Sequence, residues 1–105
     1  MRIRSVKDYP YIKHGQRVNH RLARRFFNQV RIWMGKANQT IADLKNLSPD
    51  SIGFLNRVNT VKDGIESVGK RLVWLGKQGF TDKKIEMDFN LLEKRFMELM
   101  DKIDQ

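Results

Sequence analysis

Between Gln16 and Leu47, apolar side chains recur every three or four residues, and this repeat limits what the chain can fold into more than any other feature. The spacing is that of a single stripe along an α-helix, sustained over about eight turns. A helix running from about residue 17 to residue 47 would bury this stripe and leave its other side in water. The stripe consists of Val18, Leu22, Phe26, Val30, Trp33, Ala37, Ile41 and Leu44.

Two further segments have the same helical period, at about residues 49–77 and 81–103. The second helix is predicted to begin with Ser48 as its N-cap and Pro49 as its first residue, and the third with Thr81 as its N-cap. Gly79 suits the left-handed conformation that ends many helices. The two seams follow a heptad spacing. They consist of Phe54, Val58, Val61, Ile65, Val68, Leu72 and Leu75, and of Ile85, Phe89, Leu92, Phe96, Leu99 and Ile103.

Three amphipathic helices joined by short connections predict an all-α fold. Short connections make consecutive helices antiparallel, and seams with a period near 3.5 residues favour shallow crossing angles. We therefore expect an elongated antiparallel three-helix bundle with coiled-coil-like seams at residues 16–105, preceded by an irregular basic N-terminal arm at residues 1–15. A longer two-helix hairpin and an oligomer whose seams meet across chains are the competing arrangements.

All of the excess positive charge lies in the first third of the chain. Residues 1–36 contain ten Lys and Arg residues and one acid, Asp8, whereas the other 69 residues contain eleven basic and eleven acidic side chains. The net charge of +9 at pH 7 therefore belongs to one region. Such an asymmetry points to a polyanionic partner, and the alternative is a basic protein that merely stays soluble.

The predicted first helix carries much of this charge on the side opposite its apolar stripe. Guanidinium groups donate paired hydrogen bonds to phosphate and stay charged near neutral pH. Candidate nucleic-acid-binding residues are therefore the arginine row, the adjacent Arg25, and Arg2, Arg4 and Lys13 in the N-terminal arm. The arginine row consists of Arg17, Arg21, Arg24, Asn28 and Arg31.

A candidate partner-binding surface lies on the second helix, where Trp74 projects away from the seam between Lys70 and Lys77. Trp74 would contact a protein partner, stack on a base, or be covered by the N-terminal arm or a second subunit. Other apolar side chains off the seams would be buried by a protein partner or a homodimer. These are Ile32, Met87 and Leu91.

No motif in the sequence indicates catalysis. The chain has no cysteine, and its two histidines, His14 and His20, belong to no metal-binding motif. We therefore expect no enzyme activity, no cofactor, no metal and no small-molecule substrate. Because the sequence contains no apolar run of membrane-span length and no secretory-type N-terminus, we also expect a soluble cytoplasmic protein.

These features predict a nucleic-acid-binding accessory protein that grips phosphates largely without reading sequence, because phosphate contacts position a protein rather than specify its site. The alternative is a protein–protein interaction module (an adaptor, an assembly subunit or an inhibitor) that docks on an acidic surface. The sequence does not distinguish DNA from RNA. Membrane-surface binding is a weaker option, because a bundle would use the apolar stripe internally.

Overall fold

The computed structural model describes residues 17–103, which form three α-helices: α1 (His20–Lys45), α2 (Phe54–Lys77) and α3 (Lys83–Ile103). No strand occurs within these residues, and the helices pack against one another as a three-helix bundle, so the all-α prediction is confirmed. None of the three helices is both long and apolar enough to cross a membrane. The boundary predicted between the N-terminal arm and the bundle falls outside the described residues.

α1 is the central helix, because it packs against both α2 and α3, whereas α2 and α3 touch each other least. A helix with two neighbours needs a wider apolar stripe than a single seam provides. Accordingly, Ala23, Phe27 and Met34 are buried beside the predicted stripe. Val18 and Leu22, at the start of the stripe, are only partly buried.

The predicted seams of α2 and α3 form the rest of the core. All seven seam residues of α2 are buried, and so are five of the six seam residues of α3. The sixth, Ile103, packs against the core from the last turn of α3. The heptad spacing therefore identified the buried faces of both helices.

Two contacts establish the direction of the helices. At one end of the bundle, the ring of His20 at the start of α1 meets the ring of Phe80 in the loop between α2 and α3, with centroids 5.2 Å apart and planes at 80°. Further along, the Arg95 guanidinium on α3 donates a hydrogen bond to Oδ1 of Asn38 on α1 at 2.9 Å. α2 therefore runs antiparallel to α1, and α3 runs parallel to it.

Asn19 and Asp82 cap α1 and α3. Oδ1 of Asn19 accepts a hydrogen bond from the backbone N–H of Leu22 at 2.8 Å, so α1 begins three residues later than predicted. Oδ1 of Asp82 accepts from the N–H of Ile85 at 3.1 Å, so Asp82 is the cap that we assigned to Thr81. In both cases the side-chain oxygen satisfies a donor that the first helical turn cannot pair.

The predicted start of α2 at Pro49 is wrong. The backbone N–H of Asp50 donates to Oγ of Ser48 at 3.3 Å and the N–H of Ser51 to the Ser48 carbonyl at 2.9 Å, which makes a turn but no helix. Gly53 then has φ of +81°, a left-handed conformation that interrupts any right-handed helix. α2 begins at the next residue, Phe54.

Gly79 ends α2 as predicted, with φ of +89°. The N–H of Phe80 bonds to the Leu75 carbonyl and the N–H of Gly79 to that of Gly76, both at 3.0 Å. This pair of bonds is the Schellman motif, which turns the chain sharply after a helix. The turn directs residues 78–82 back toward the start of α1.

Candidate functional site

The helical part of the arginine row lies on the solvent side of α1. Arg21, Arg24, Asn28 and Arg31 are all exposed, and at 1.5 Å per residue they span about 15 Å. Arg17 is exposed too, but it precedes the helix, so the helical period does not determine its position in the row. The sequence predicted a row that begins at Arg17. In the structure the part of the row on α1 begins one turn later, at Arg21, after the Asn19 cap.

The arginines of this face take part in no ion pair within residues 17–103. Elsewhere in this part of the chain, Lys84 and Asp88 on α3 form an ion pair at 3.3 Å. The first acid of α1 is Asp43, near the other end of the helix. Arg25 is exposed beside the row and adds a further charge.

A depression of about 380 Å³ adjoins the row where the α2–α3 loop returns to α1. We call it the loop cleft. α1 contributes charged, polar and apolar side chains to it, and the loop contributes an aromatic ring, a hydroxyl and a carboxylate. The lining residues are His20, Ala23, Arg24, Phe27, Asn28 and Arg31 from α1, and Gly79, Phe80, Thr81 and Asp82 from the loop.

A larger depression, of about 760 Å³, lies between α2 and α3, where these two helices diverge. Core side chains such as Ile65, Leu72 and Phe89 form its apolar lining. Its charged side chains are predominantly acidic, which disfavours a polyanion. They are Glu66, Glu86, Glu93 and Lys70.

One interpretation of the sequence made Trp74 an exposed side chain that contacts a protein partner, and the structure does not place it so. Trp74 is half-buried and packs against the core, so its indole is not freely presented between the exposed Lys70 and Lys77. Ile32 on α1 is 57% exposed and lies one turn beyond Asn28, on the side of the row. It is the better placed of the two proposed apolar anchors.

Other sequence-predicted residues fall into two groups. Met87 and Leu91 lie off the core as expected, with 65% and 51% of their surface exposed. Arg2, Arg4 and Lys13 lie outside the described residues, and their predicted part in binding stays a prediction.

Sequence reasoning missed the loop cleft. It placed Arg24, Asn28 and Arg31 on one face, but it did not bring Phe80 or Thr81 to that face. Gly79 was a partial signal, because an apolar residue after a capping glycine commonly packs against the helix that the glycine ends. That helix is α2, so this signal does not place Phe80 beside α1.

No group of His, Cys, Asp and Glu side chains within residues 17–103 is arranged to hold a metal ion. No protein-family model, curated protein or solved structure matches this chain.

Proposed function

We propose that this protein is a non-catalytic nucleic-acid-binding protein that holds the phosphate backbone with the arginine row and Arg25. The observation that carries the proposal is the exposure of these guanidinium groups without ion-pair partners among residues 17–103. A solvated salt-bridge network would instead interleave acids with the arginines. A row of about 15 Å matches roughly five successive phosphates at the 3.4 Å axial rise of one duplex strand.

Backbone contacts of this kind would give binding with little sequence preference. The N-terminal arm, with Arg2, Arg4 and Lys13, would add contacts to the same ligand. We also propose that the protein is cytoplasmic.

A second candidate function is supported by Ile32. An exposed isoleucine next to a row of arginines fits an acidic protein partner better than a phosphate backbone, because protein interfaces combine an apolar anchor with a charged rim. In this second proposal the protein is an adaptor, assembly subunit or inhibitor. Homodimerisation through the exposed Met87 and Leu91 would accompany it.

Fluorescence anisotropy tests the first proposal, with labelled single-stranded DNA, single-stranded RNA, duplex DNA and polyglutamate at about 50 mM salt. We compare the wild type with a row variant in which Arg17, Arg21, Arg24 and Arg31 are replaced by alanine. A control variant loses the same number of positive charges elsewhere, at the exposed Arg57, Lys62, Lys83 and Lys94 of α2 and α3. We expect the row variant to lose most of its nucleic-acid affinity, and the control variant to keep most of it.

Ile32→Ser tests whether nucleic-acid binding depends on the apolar anchor of the second candidate function. It should leave nucleic-acid binding unchanged, because a serine on the solvent side of α1 removes no phosphate contact. Binding of polyglutamate without binding of any nucleic acid would support the protein-partner function instead. Absence of binding to every nucleic-acid probe at low salt would overturn the first proposal.

A further inference from the structure

We propose that the loop cleft holds one unstacked base, so that the ligand of the arginine row is single-stranded nucleic acid. This inference rests on the function proposed above and specifies the ligand class of the same surface. It depends on the fold, because the cleft exists only where the α2–α3 loop meets the first three turns of α1.

The cleft combines three kinds of groups that a nucleotide uses. Arg24 and Arg31 belong to the arginine row and supply guanidinium groups for phosphate. The ring of Phe80 is half-buried, packs against the core and makes an edge-to-face contact with His20. These contacts keep it beside α1, and its remaining exposed surface lines the cleft. Asn28 and Thr81 supply an amide and a hydroxyl, which can donate to and accept from base edges.

The size of the cleft fits a small part of a strand. Its volume of about 380 Å³ lies near the lower end of ligand pockets in proteins, roughly 300 to 1,000 Å³. Stacking on one aromatic ring and hydrogen bonding at one base edge are the usual means by which proteins hold single strands. A cleft with one such ring therefore accommodates one base.

A duplex cannot stack a base on Phe80 without disruption. Its bases are stacked inside the helix, so an intact duplex presents phosphates, sugars and the base edges in its grooves, but no free base face for an aromatic ring. The arginine row would attract duplex and single strand alike, whereas the loop cleft would add affinity only for the single strand. The ratio of the two affinities thus reports on the cleft and not on the row.

Asp82 provides an independent test because its charge opposes a nucleic-acid ligand. Its carboxylate lines the cleft and also caps α3 by accepting from the N–H of Ile85 at 3.1 Å. Asparagine caps helices as well as aspartate does. Asp82→Asn therefore removes a negative charge from the cleft while keeping the cap.

The test measures the affinities of Phe80→Leu and Asp82→Asn for a labelled single strand and for the corresponding duplex. Leucine keeps an apolar side chain at position 80 but removes the ring. Loss of stacking on one base corresponds to roughly 5- to 150-fold weaker binding, so we expect a loss in this range for the single strand and an unchanged duplex affinity. Asp82→Asn should strengthen single-strand binding several-fold and duplex binding less, because only a strand with a base in the cleft lies directly beside this side chain. DNA and RNA single strands are compared separately to show which sugar is preferred.

The outcomes separate this inference from the proposed function. If the row variant loses both ligands while Phe80→Leu and Asp82→Asn leave the ratio of single-strand to duplex affinity unchanged, the cleft holds no base and phosphate binding by the row stands. If no nucleic acid binds at all, the proposed function fails and this inference fails with it. Thermal unfolding of Phe80→Leu provides the folding control, because partial unfolding would weaken both ligands equally.

Discussion

The two sides of α1 differ in burial and in charge. Trp33 is 2% exposed and lies in the core, whereas its neighbour Ile32 is 57% exposed beside the arginine row. The buried side includes nine residues and no charged group, and the solvent side at the start of the helix has arginines and no acid. The comparison indicates that the buried side determines stability and that the exposed side is available for binding. Substitutions on each side should therefore change one property and spare the other.

The largest effect is expected at Trp33. Replacing a fully buried tryptophan by alanine leaves a cavity between α1 and α2, so Trp33→Ala should lower the free energy of unfolding by about 3–5 kcal/mol. Ile32→Ala, one residue away, should change it by no more than about 0.5 kcal/mol. Urea unfolding followed by circular dichroism measures both. Similar losses in the two variants would contradict the assignment of the two sides.

A smaller effect on stability is expected at Gly64, where α2 approaches Trp33. A methyl group at Gly64 would lie 2.7 Å from Cζ2 of Trp33, closer than atoms in the core can tolerate, whereas at Gly35 on the exposed side of α1 it would meet nothing within 4 Å. We expect Gly64→Ala to cost about 1–3 kcal/mol through overpacking, and Gly35→Ala to stabilise the protein by about 0.4–1 kcal/mol by restricting the unfolded chain.

Thermal unfolding of both glycine variants provides the check. A Gly64→Ala variant that is as stable as the wild type, or more stable, would contradict the close approach of α2 to α1.

The smallest effect on stability is expected on the arginine row. Arg21 repels Arg24 and Arg25 at spacings of three and four residues, and like charges at such spacings cost about 0.2–0.5 kcal/mol per pair. Alanine is also the best helix former. The row variant should therefore be as stable as the wild type, or more stable by up to about 1 kcal/mol. A loss of more than that amount in thermal unfolding would show that the row supports the fold.

The buried faces could be predicted from the sequence because periodicity reports directly on burial. The predicted seam of α2 includes every buried apolar side chain of that helix, because α2 has one principal neighbour, α1. Phe27 and Met34 were missed because the second neighbour of α1 widens its buried stripe. Helix starts were less predictable. Thr81 and Asp82 are both competent caps for α3, and hydrogen-bond geometry selected Asp82. The apolar stripe of α1 extends to Val18, before the Asn19 cap, so periodicity alone placed its start too early.

The candidate site could be predicted only in part. The arginine row follows from helical spacing, apart from Arg17, which lies before the cap. The loop cleft does not follow from spacing, because it joins Arg24 and Arg31 to Phe80 across about fifty residues of sequence. Trp74 was placed correctly off the seam, but its partial burial depends on tertiary packing.

The salt dependence of nucleic-acid binding tests the central claim most directly. Each phosphate neutralised by a protein cation contributes about 0.7 to 0.9 to the slope of log affinity against log salt concentration. Measured by anisotropy between about 50 and 200 mM salt, the slope of the row variant should be less steep than that of the wild type by about 3. The control variant, which loses the same charge from α2 and α3, should keep the wild-type slope. Equal slopes for the two variants would contradict the account, because net charge and not the arginine row would then determine binding.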